Sequence, residues 1–186
     1  TLFQYGAIAA LVVFQPELRS GLARLGQSHL IRSLRSMEES QEADELVSAL
    51  TELARMKRGA IVAIQGEVGL EEYAETGSPV GAPVSSQMLK TIFTPYTPLH
   101  DGAVIINGGR IVTAGAILPL TQLPVRDKSL GTRHRAALGL SEETDATVLV
   151  VSEETSRISV AQGGRIEVGV DEARLREILS GVFESG

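Results

Sequence analysis

The segment TPLHDGAVIINGGRIVTAGAIL, residues 97–118, sets the arrangement of the rest of the chain. Its two apolar runs, 104–106 and 111–116, are rich in β-branched residues, which favour strands. The turn between them, residues 107–110, contains two glycines and suits a tight hairpin whose central residues need positive φ. The segment therefore predicts two adjacent strands inside a sheet.

Asp101, Gly102 and Ala103 stand directly before the first of these strands. A carboxylate followed by a residue without a side chain marks a place where another group can approach the backbone closely. Because Asp101 lies between the apolar Leu99 and a buried strand, we expect its carboxylate to have a partner. An Asp-Gly pair is also typical of a simple turn, so both interpretations stay open at this point.

Composition places the chain among globular proteins. The 186 residues suit one domain, and 43% hydrophobic with 22% charged residues is ordinary for a folded protein. A net charge of −6 argues against a broad surface for nucleic acid, because phosphate neutralisation needs clustered Lys and Arg. The sequence has no cysteine, which excludes a disulfide framework, a thiolate metal site and a cysteine nucleophile.

Apolar residues at helical spacing predict helices at 42–58, 85–93, 131–144 and 171–179. We expect Gly59 to end the first helix and Ser85 or Ser86 to cap the second. Short runs without polar alternation or with hairpin partners predict further strands at 60–64, 146–151, 158–161 and 167–170. The predicted fold is an α/β domain with a central mixed β-sheet flanked by helices.

Two segments are predicted to lack regular structure. Residues 66–83 contain several glycines and prolines and should be largely loop around a short helical turn near 70–75. Residues 32–43 are polar and are expected to form a mobile, solvated connection. The apolar run 6–14 is too short to span a bilayer and is either a buried first helix or the end of a transmembrane helix.

The sequence GTRHR at 131–135 combines a hydroxyl and cationic side chains at a predicted helix start. Free N–H groups and the dipole at a helix N-terminus favour an anion, and an arginine can hold phosphate oxygens in a bidentate fork. We expect Thr132 to cap this helix. The segment is equally consistent with a surface basic cluster on an acidic protein.

The sequence SEE at 152–154 directly follows a predicted buried strand. Open α/β sheets bind ligands at such strand ends, and carboxylates there can hold a divalent ion. A solvated loop remains the alternative. No GxxxxGK[ST] loop, no GxGxxG after a strand and no GxSxG elbow is present, and three histidines without cysteine make a structural zinc site improbable.

The motifs DGA at 101–103, GTRHR at 131–135 and SEE at 152–154 occur in this order beside predicted strands. Together they strongly resemble the diadenylate cyclase domain, and DGA with RHR is a specific combination. The run 4–18 further resembles the membrane-anchored type of that family. The resemblance covers essentially the whole chain and implies that 1–16 is the end of a truncated transmembrane helix and 17–186 the catalytic domain.

The resemblance implies condensation of two ATP molecules into cyclic di-AMP with release of two pyrophosphates, in the presence of Mg²⁺ or Mn²⁺. It makes Asp101 a metal ligand and the activator of the 3′-hydroxyl, with Glu154 on the metal side. Arg133 and His134 are the other implied catalytic residues. Leu118 would offer its backbone to the adenine edge. The implied nucleotide-binding residues are Gly102, Ala103, Leu118, Gly131, Thr132, Arg133, Ser152, Glu153 and Glu154.

The resemblance also implies partners. A twofold-symmetric product needs two facing ATP sites, so we expect a head-to-head homodimer. The family implies a place at the cell membrane with the catalytic domain on the cytoplasmic side, and often a YbbR-domain regulator and a phosphoglucosamine mutase as partners. Three alternatives stay open: a nucleotide-binding regulatory module without turnover, a metal-dependent phosphatase or phosphodiesterase using Asp101 and the Glu pair, and a plain interaction domain.

Overall fold

The computed structural model describes residues 29–123 and 130–184, with side chains described for 40–123 and 130–183. The chain divides into two compact units, Thr1–Glu38 and Glu39–Gly186. The described part of the first unit is the beginning of helix α1 (His29–Arg55). The predictions for residues 1–28 lie outside the described residues. None of the helices in the described ranges combines the length and apolar composition needed to cross a membrane.

The second unit alternates helices and strands. After α1 the chain forms β1 (Ala60–Ile64), α2 (Glu71–Ala74), β2 (Ser78–Pro83), α3 (Ser86–Ile92), β3 (Ala103–Asn107), β4 (Arg110–Ala116), α4 (Thr132–Glu143), β5 (Thr147–Val151), β6 (Ile158–Gln162), β7 (Arg165–Val168) and α5 (Glu172–Glu184). The predicted hairpin, the buried strands and the helices that start near 85, 131 and 171 are all confirmed.

The seven strands form one mixed sheet in the order β2-β4-β3-β1-β5-β6-β7. Strand β1 runs parallel to β3 and antiparallel to β5. All other neighbours are antiparallel. The predicted central mixed sheet is therefore confirmed, with β1 in its middle.

Helices cover both faces of the sheet. Alternate residues of β1 enter two different cores, because side chains of a strand point to opposite faces. Ala60, Val62 and Ile64 pack with residues of α1, α3 and α5, whereas Ile61 and Ala63 pack with residues of α4. Burial on both faces explains why β1 is apolar throughout.

Helix α1 begins earlier and ends differently than predicted. Residues 32–43 are helical and not a connection, because α1 starts at His29; their polar composition hid the helix. At the other end Arg58 N–H donates to Leu53 C=O and Lys57 N–H to Ala54 C=O, the Schellman arrangement. Lys57 adopts φ +53, the left-handed conformation usual for glycine at this position. Gly59 therefore does not end the helix.

Strand β2 was predicted to be loop. It lies at the edge of the sheet and pairs only with β4 among the strands of the described residues. Proline lacks an N–H donor and is tolerated in an edge strand, where one side of the backbone has no neighbour. The glycines and prolines of 66–83 thus conceal a strand, while the predicted helical turn is confirmed as α2.

Glycine hairpins join β3 to β4 and β6 to β7. Gly108 and Gly109 have φ +51 and +74 between β3 and β4, and Gly163 and Gly164 have φ +53 and +71 between β6 and β7. Positive φ at both central positions is the geometry that matches the twist of the flanking strands.

Side-chain hydrogen bonds connect the segments at the end of the sheet where β1 ends and β5 begins. The Asp145 carboxylate accepts hydrogen bonds from the N–H groups of Val68 and Glu67 at 3.0 and 2.8 Å. These bonds lower the pKa of Asp145. Nearby, the Tyr73 hydroxyl donates to Glu143 at 2.8 Å, and burial together with that bond raises the pKa of Tyr73 to about 12. The DGA, GTRHR and SEE motifs lie at the other end of these strands, where β1 begins and β5 ends.

The end of α1 offers a test of the backbone geometry. Replacing Lys57 by glycine removes the cost of a left-handed non-glycine residue, and we expect the free energy of unfolding to rise by about 0.5–1 kcal/mol. The same change at the exposed Gln41, inside α1, should lower it by about 1 kcal/mol. Urea unfolding of both variants measures the change in the free energy of unfolding. A change of the same sign in both variants would contradict the assignment of Lys57 to the helix end.

Candidate active site

Strand register brings the separate motifs to one edge of the sheet. Ala60 at the start of β1 pairs with Val151 at the end of β5. Val62 of β1 pairs with Val104 of β3 in parallel, and Ala103 pairs with Ala116 at the end of β4. The residues just beyond these strand ends therefore lie side by side: Leu118, Asp101, Gly102, Gly59 and Ser152.

This arrangement differs in one respect from the expected ligand edge. In a parallel sheet ligands bind at the carboxyl ends of the strands. Here the parallel pair β1 and β3 begins at the motif edge, whereas the antiparallel strands β4 and β5 end there. The SEE motif follows a strand end as predicted, and the DGA motif precedes a strand start.

An ion pair joins the RHR and SEE motifs. Nη1 of Arg133, in the first turn of α4, lies 3.1 Å from Oε2 of Glu153, just after β5. The two side chains are 25% and 59% exposed. The N-terminus of α4 thus lies beside the end of β5.

The N-terminus of α4 is open to an anion. Gly131 is the N-cap residue and provides no side-chain cap, so the expected cap by Thr132 is wrong; Thr132 is the first helical residue. Both are exposed. The first N–H groups of a helix lack intrahelical acceptors and attract negative charge. The predicted phosphate cradle therefore has the right local geometry.

His134 is less accessible than its neighbours. It is only 4% exposed, so nearly all of the residue is closed to a ligand in this structure. Arg133 and Thr132 are the parts of this turn that a phosphate can reach most directly.

Asp101 is exposed, and it makes no hydrogen bond or ion pair with any residue in the described ranges. The expected partner of its carboxylate is therefore not a protein group in the described ranges, and a ligand or metal partner stays a prediction. The loop before β3 holds it at the surface of the sheet edge, since the turns around Thr97 are fixed by hydrogen bonds of the Thr97 hydroxyl to Ile92 C=O and Thr94 C=O. The carboxylate can accept a proton or bind a cation from a ligand.

Gly102 packs against the backbone of the neighbouring strand β4. Its φ is +145, and an added Cβ would lie 2.7 Å from the Cα of Gly115 in β4. A close approach of the kind inferred from the sequence is therefore made here by the neighbouring strand. Ala103 is 1% exposed and packs in the core beneath α4. Direct nucleotide contacts by these two residues remain predictions.

Leu118 lies in a short segment that crosses α4. Its side chain is 8% exposed, and its backbone N–H and C=O form no hydrogen bond within the described part of the chain. The segment is held by Thr121, whose hydroxyl donates to Glu142 at 2.6 Å. It packs on Gly139, where a Cβ would lie 2.7 Å from Thr121 N. Among the described residues, the backbone N–H and C=O of Leu118 thus lack a hydrogen-bond partner, at a position held by the packing of this segment on α4.

The SEE motif forms a tight turn between β5 and β6. Ser152 N–H donates to Arg157 C=O at 3.0 Å, and the Ser152 hydroxyl accepts from Thr155 N–H at 3.2 Å. The hydroxyl keeps its own hydrogen available for a ligand. Glu154 is exposed.

The carboxylates suit a cation that arrives with a nucleotide. The described residues contain no group of three or more His, Asp or Glu side chains able to enclose a metal. Mg²⁺ in nucleotide sites usually takes one or two carboxylates and completes its shell with water and phosphate oxygens. The exposed Asp101 and Glu154 fit that donor set.

Gly59 was not predicted as a site residue. It is buried at the start of β1, and an added Cβ would lie 2.7 Å from Cζ of Arg133 and 2.9 Å from Oε2 of Glu153. Its position directly before a buried strand is a signal that could have pointed to a close approach.

Within the described residues, one end of a mixed sheet has an open helix N-terminus, a carboxylate without a protein partner and backbone groups without hydrogen bonds, which is the arrangement expected of a nucleotide-binding α/β domain. Residues 47–166 match the family described as DisA bacterial checkpoint controller nucleotide-binding. The chain belongs to this diadenylate cyclase family.

Relatives and solved structures agree with that assignment. The chain is 43% identical over 182 residues to a diadenylate cyclase of Listeria monocytogenes, covering 96% of this chain and 66% of that protein. It is 43% identical over 183 residues to the cyclic di-AMP synthase CdaA of Bacillus subtilis, covering 97% and 67%. The chain thus spans about two thirds of the length of these relatives.

Two solved structures share the fold. A crystal structure of a double mutant of DacA from Staphylococcus aureus matches with a TM-score of 0.77 and 39% identity, covering 79% of this chain and 98% of that one. A hypothetical membrane spanning protein from Bacillus cereus matches with a TM-score of 0.65 and 44% identity, covering 67% and 61%.

The role assigned to Gly102 can be tested by Gly102→Ala. The new methyl group meets the backbone of β4 at an unfavourable φ, so we expect a loss of at least about 2 kcal/mol of unfolding free energy. Gly181→Ala is the control, because nothing lies within 4 Å of its added Cβ. Chemical denaturation measures both. Wild-type stability in Gly102→Ala together with lost ATP binding would instead assign Gly102 to the ligand.

Proposed function

We propose that this chain is a diadenylate cyclase, which condenses two ATP molecules into cyclic di-AMP and releases two pyrophosphates. The observation that carries the proposal is the Arg133–Glu153 ion pair at 3.1 Å, which brings two of the three family motifs together at the edge where Asp101 is exposed. The names of the relatives from Listeria monocytogenes and Bacillus subtilis support it.

The chemistry is two in-line substitutions at phosphorus. Each ribose 3′-oxygen bonds to the α-phosphorus of the other ATP, the bond from that phosphorus to the bridging oxygen breaks, and pyrophosphate leaves. Such transfers depend on positioning and on stabilisation of charge. Asp101, exposed and without a protein partner in the described ranges, accepts the hydroxyl proton.

The triphosphate lies at the N-terminus of α4 in this proposal. The N–H groups of the first turn, the Thr132 hydroxyl and the guanidinium of Arg133 donate to its oxygens, and Ser152 donates from the neighbouring turn. His134, which is 4% exposed, is the least accessible of the residues proposed to hold the triphosphate. Leu118 offers its backbone N–H and C=O to the polar edge of the adenine. A buried adenine edge needs such hydrogen-bonding partners.

Asp101 and Glu154 would hold Mg²⁺ or Mn²⁺ together with the nucleotide. The cation supplies neutralisation of the phosphate charge.

Membrane attachment through segments outside the described residues belongs to the same proposal, as do regulation by a YbbR-domain protein and by a phosphoglucosamine mutase. The support is resemblance alone, since the described residues contain no spanning helix.

The direct test is incubation of the purified chain with ATP and Mn²⁺, followed by chromatographic separation of nucleotides with mass detection. Cyclic di-AMP with pyrophosphate is the expected result. Release of AMP or phosphate would favour a phosphodiesterase or phosphatase, and ATP binding without any product would favour a regulatory module.

The variant Asp101→Asn tests the proposed base. It keeps the size of the side chain but removes the proton acceptor, so we expect the rate of cyclisation to fall by about 10²–10⁴-fold while ATP affinity stays within about tenfold. Asp44→Asn removes the same charge from the surface of α1, where Asp44 pairs with Arg176 at 3.1 Å, and should be fully active. Undiminished activity in Asp101→Asn would remove Asp101 from the mechanism.

Enzyme dilution tests the requirement for two facing subunits. One subunit offers one phosphate-binding helix terminus at this edge, so a monomer should bind ATP but join nothing. We expect the rate to rise more than linearly with protein concentration below the dimer dissociation constant. Strict proportionality at high dilution, with monomer verified by light scattering, would contradict a catalytic dimer.

A further inference from the structure

Gly59 lies where no backbone requirement explains a glycine. It is not among the glycines with φ in the left-handed region, and the helix before it is ended by Lys57. The space that a side chain would fill is taken by the ends of two side chains, the guanidinium of Arg133 and the carboxylate of Glu153. The guanidinium therefore rests directly on the backbone at the start of β1.

We propose that Gly59 and Glu153 are positioning residues for Arg133. Gly59 leaves the space in which the guanidinium lies, and Glu153 fixes its direction, so that Arg133 meets the triphosphate in a preset orientation. This inference rests on the proposed cyclase function. It also changes the expected role of Glu153, which acts through Arg133 and not by contact with the nucleotide.

Arg133 can pair with Glu153 and bind the triphosphate at the same time. A guanidinium carries five N–H donors in a rigid plane, and the structure uses Nη1 for Glu153. The remaining donors can serve phosphate oxygens. A long side chain that is ordered before binding loses less conformational freedom when the ligand arrives, which raises affinity and improves alignment.

If Gly59 and the ion pair served only stability, Gly59→Ala would lose activity only as far as it lost folded protein. The ion pair is partly exposed, 25% and 59% for the two side chains, and such pairs contribute little to stability. Gly59→Ala displaces only the movable ends of two side chains, because the nearest atoms to the added Cβ belong to Arg133 and Glu153 and not to backbone. The variant should fold, whereas Arg133 should lose its place.

The first experiment compares Gly59→Ala with Gly181→Ala, whose added methyl group meets open space. We expect Gly59→Ala to melt within about 2 °C of the wild type, and Gly181→Ala to melt at the same temperature or about 2–4 °C higher, because alanine is the better helix former inside α5. For Gly59→Ala we expect kcat/KM to fall by about 10–100-fold. An unchanged kcat/KM, or a loss matched by a loss of folded protein, would overturn the proposal.

The second experiment is a double-mutant cycle with Arg133→Ala, read by kcat/KM and by ATP affinity from calorimetry. Once Arg133 is absent, neither Gly59→Ala nor Glu153→Gln should change either quantity by more than about twofold, because both act through the missing guanidinium. Full and independent effects in that background would show that Gly59 or Glu153 acts directly, and the proposal would fail.

A third measurement separates this inference from the cyclase proposal. The Nε–H resonance of Arg133, identified in ¹⁵N spectra by its loss in Arg133→Lys, reports the environment of the guanidinium without nucleotide. We expect it to shift in Gly59→Ala and Glu153→Gln and to stay in Gly181→Ala. An unchanged resonance overturns the positioning role. A shifted resonance in a protein that neither binds nor converts ATP rejects the cyclase function alone.

Discussion

The pairing of β1 with β3 on one side and β5 on the other is the constraint on which the rest of the structure depends. Parallel pairing with β3 and antiparallel pairing with β5 place two strand starts and one strand end at the same edge. The register is firm, because a shift by one residue would exchange the two sets of buried side chains on β1 between the cores. Segments far apart in the sequence, around Gly59, Asp101 and Ser152, are therefore brought together by the packing of five apolar residues.

Glycines determine the packing at this end of the sheet as much as the larger side chains do. Gly102 lies against the backbone of Gly115, and Gly139 lies against the segment that carries Leu118. At both positions a larger residue would have to move main chain, so these glycines belong to the fold. At Gly59 the neighbours are side-chain ends, which can move. The same residue type thus serves rigid packing at two positions and the placement of a functional group at the third.

Much of the fold follows from local patterns, whereas the contacts of the site do not. The hairpin at 107–110 and the buried strands were predictable because glycine turns and β-branched runs carry their own geometry. Strand β2 was missed because an edge tolerates proline, and the exposure of Asp101 was missed because it depends on what covers the loop in three dimensions. Gly59 was assigned to the helix end, which Lys57 occupies. The identities of the site residues came from resemblance, and the contact of Gly102 with Gly115 had no local signal.

The balance of charge at the edge accounts for the form in which the proposed substrate binds. The chain carries a net charge of −6, yet screening over about 10 Å leaves the local groups to decide. The helix terminus and Arg133 attract phosphate, but Glu153 already offsets part of the charge of Arg133, and the exposed carboxylates of Asp101 and Glu154 repel a bare triphosphate. In the proposed function, a divalent cation bound with the nucleotide would offset that repulsion, because it would add positive charge near the carboxylates and the phosphates. On this proposal the arrangement would favour the metal-bound nucleotide over the free one, while the Arg133 guanidinium would set its orientation.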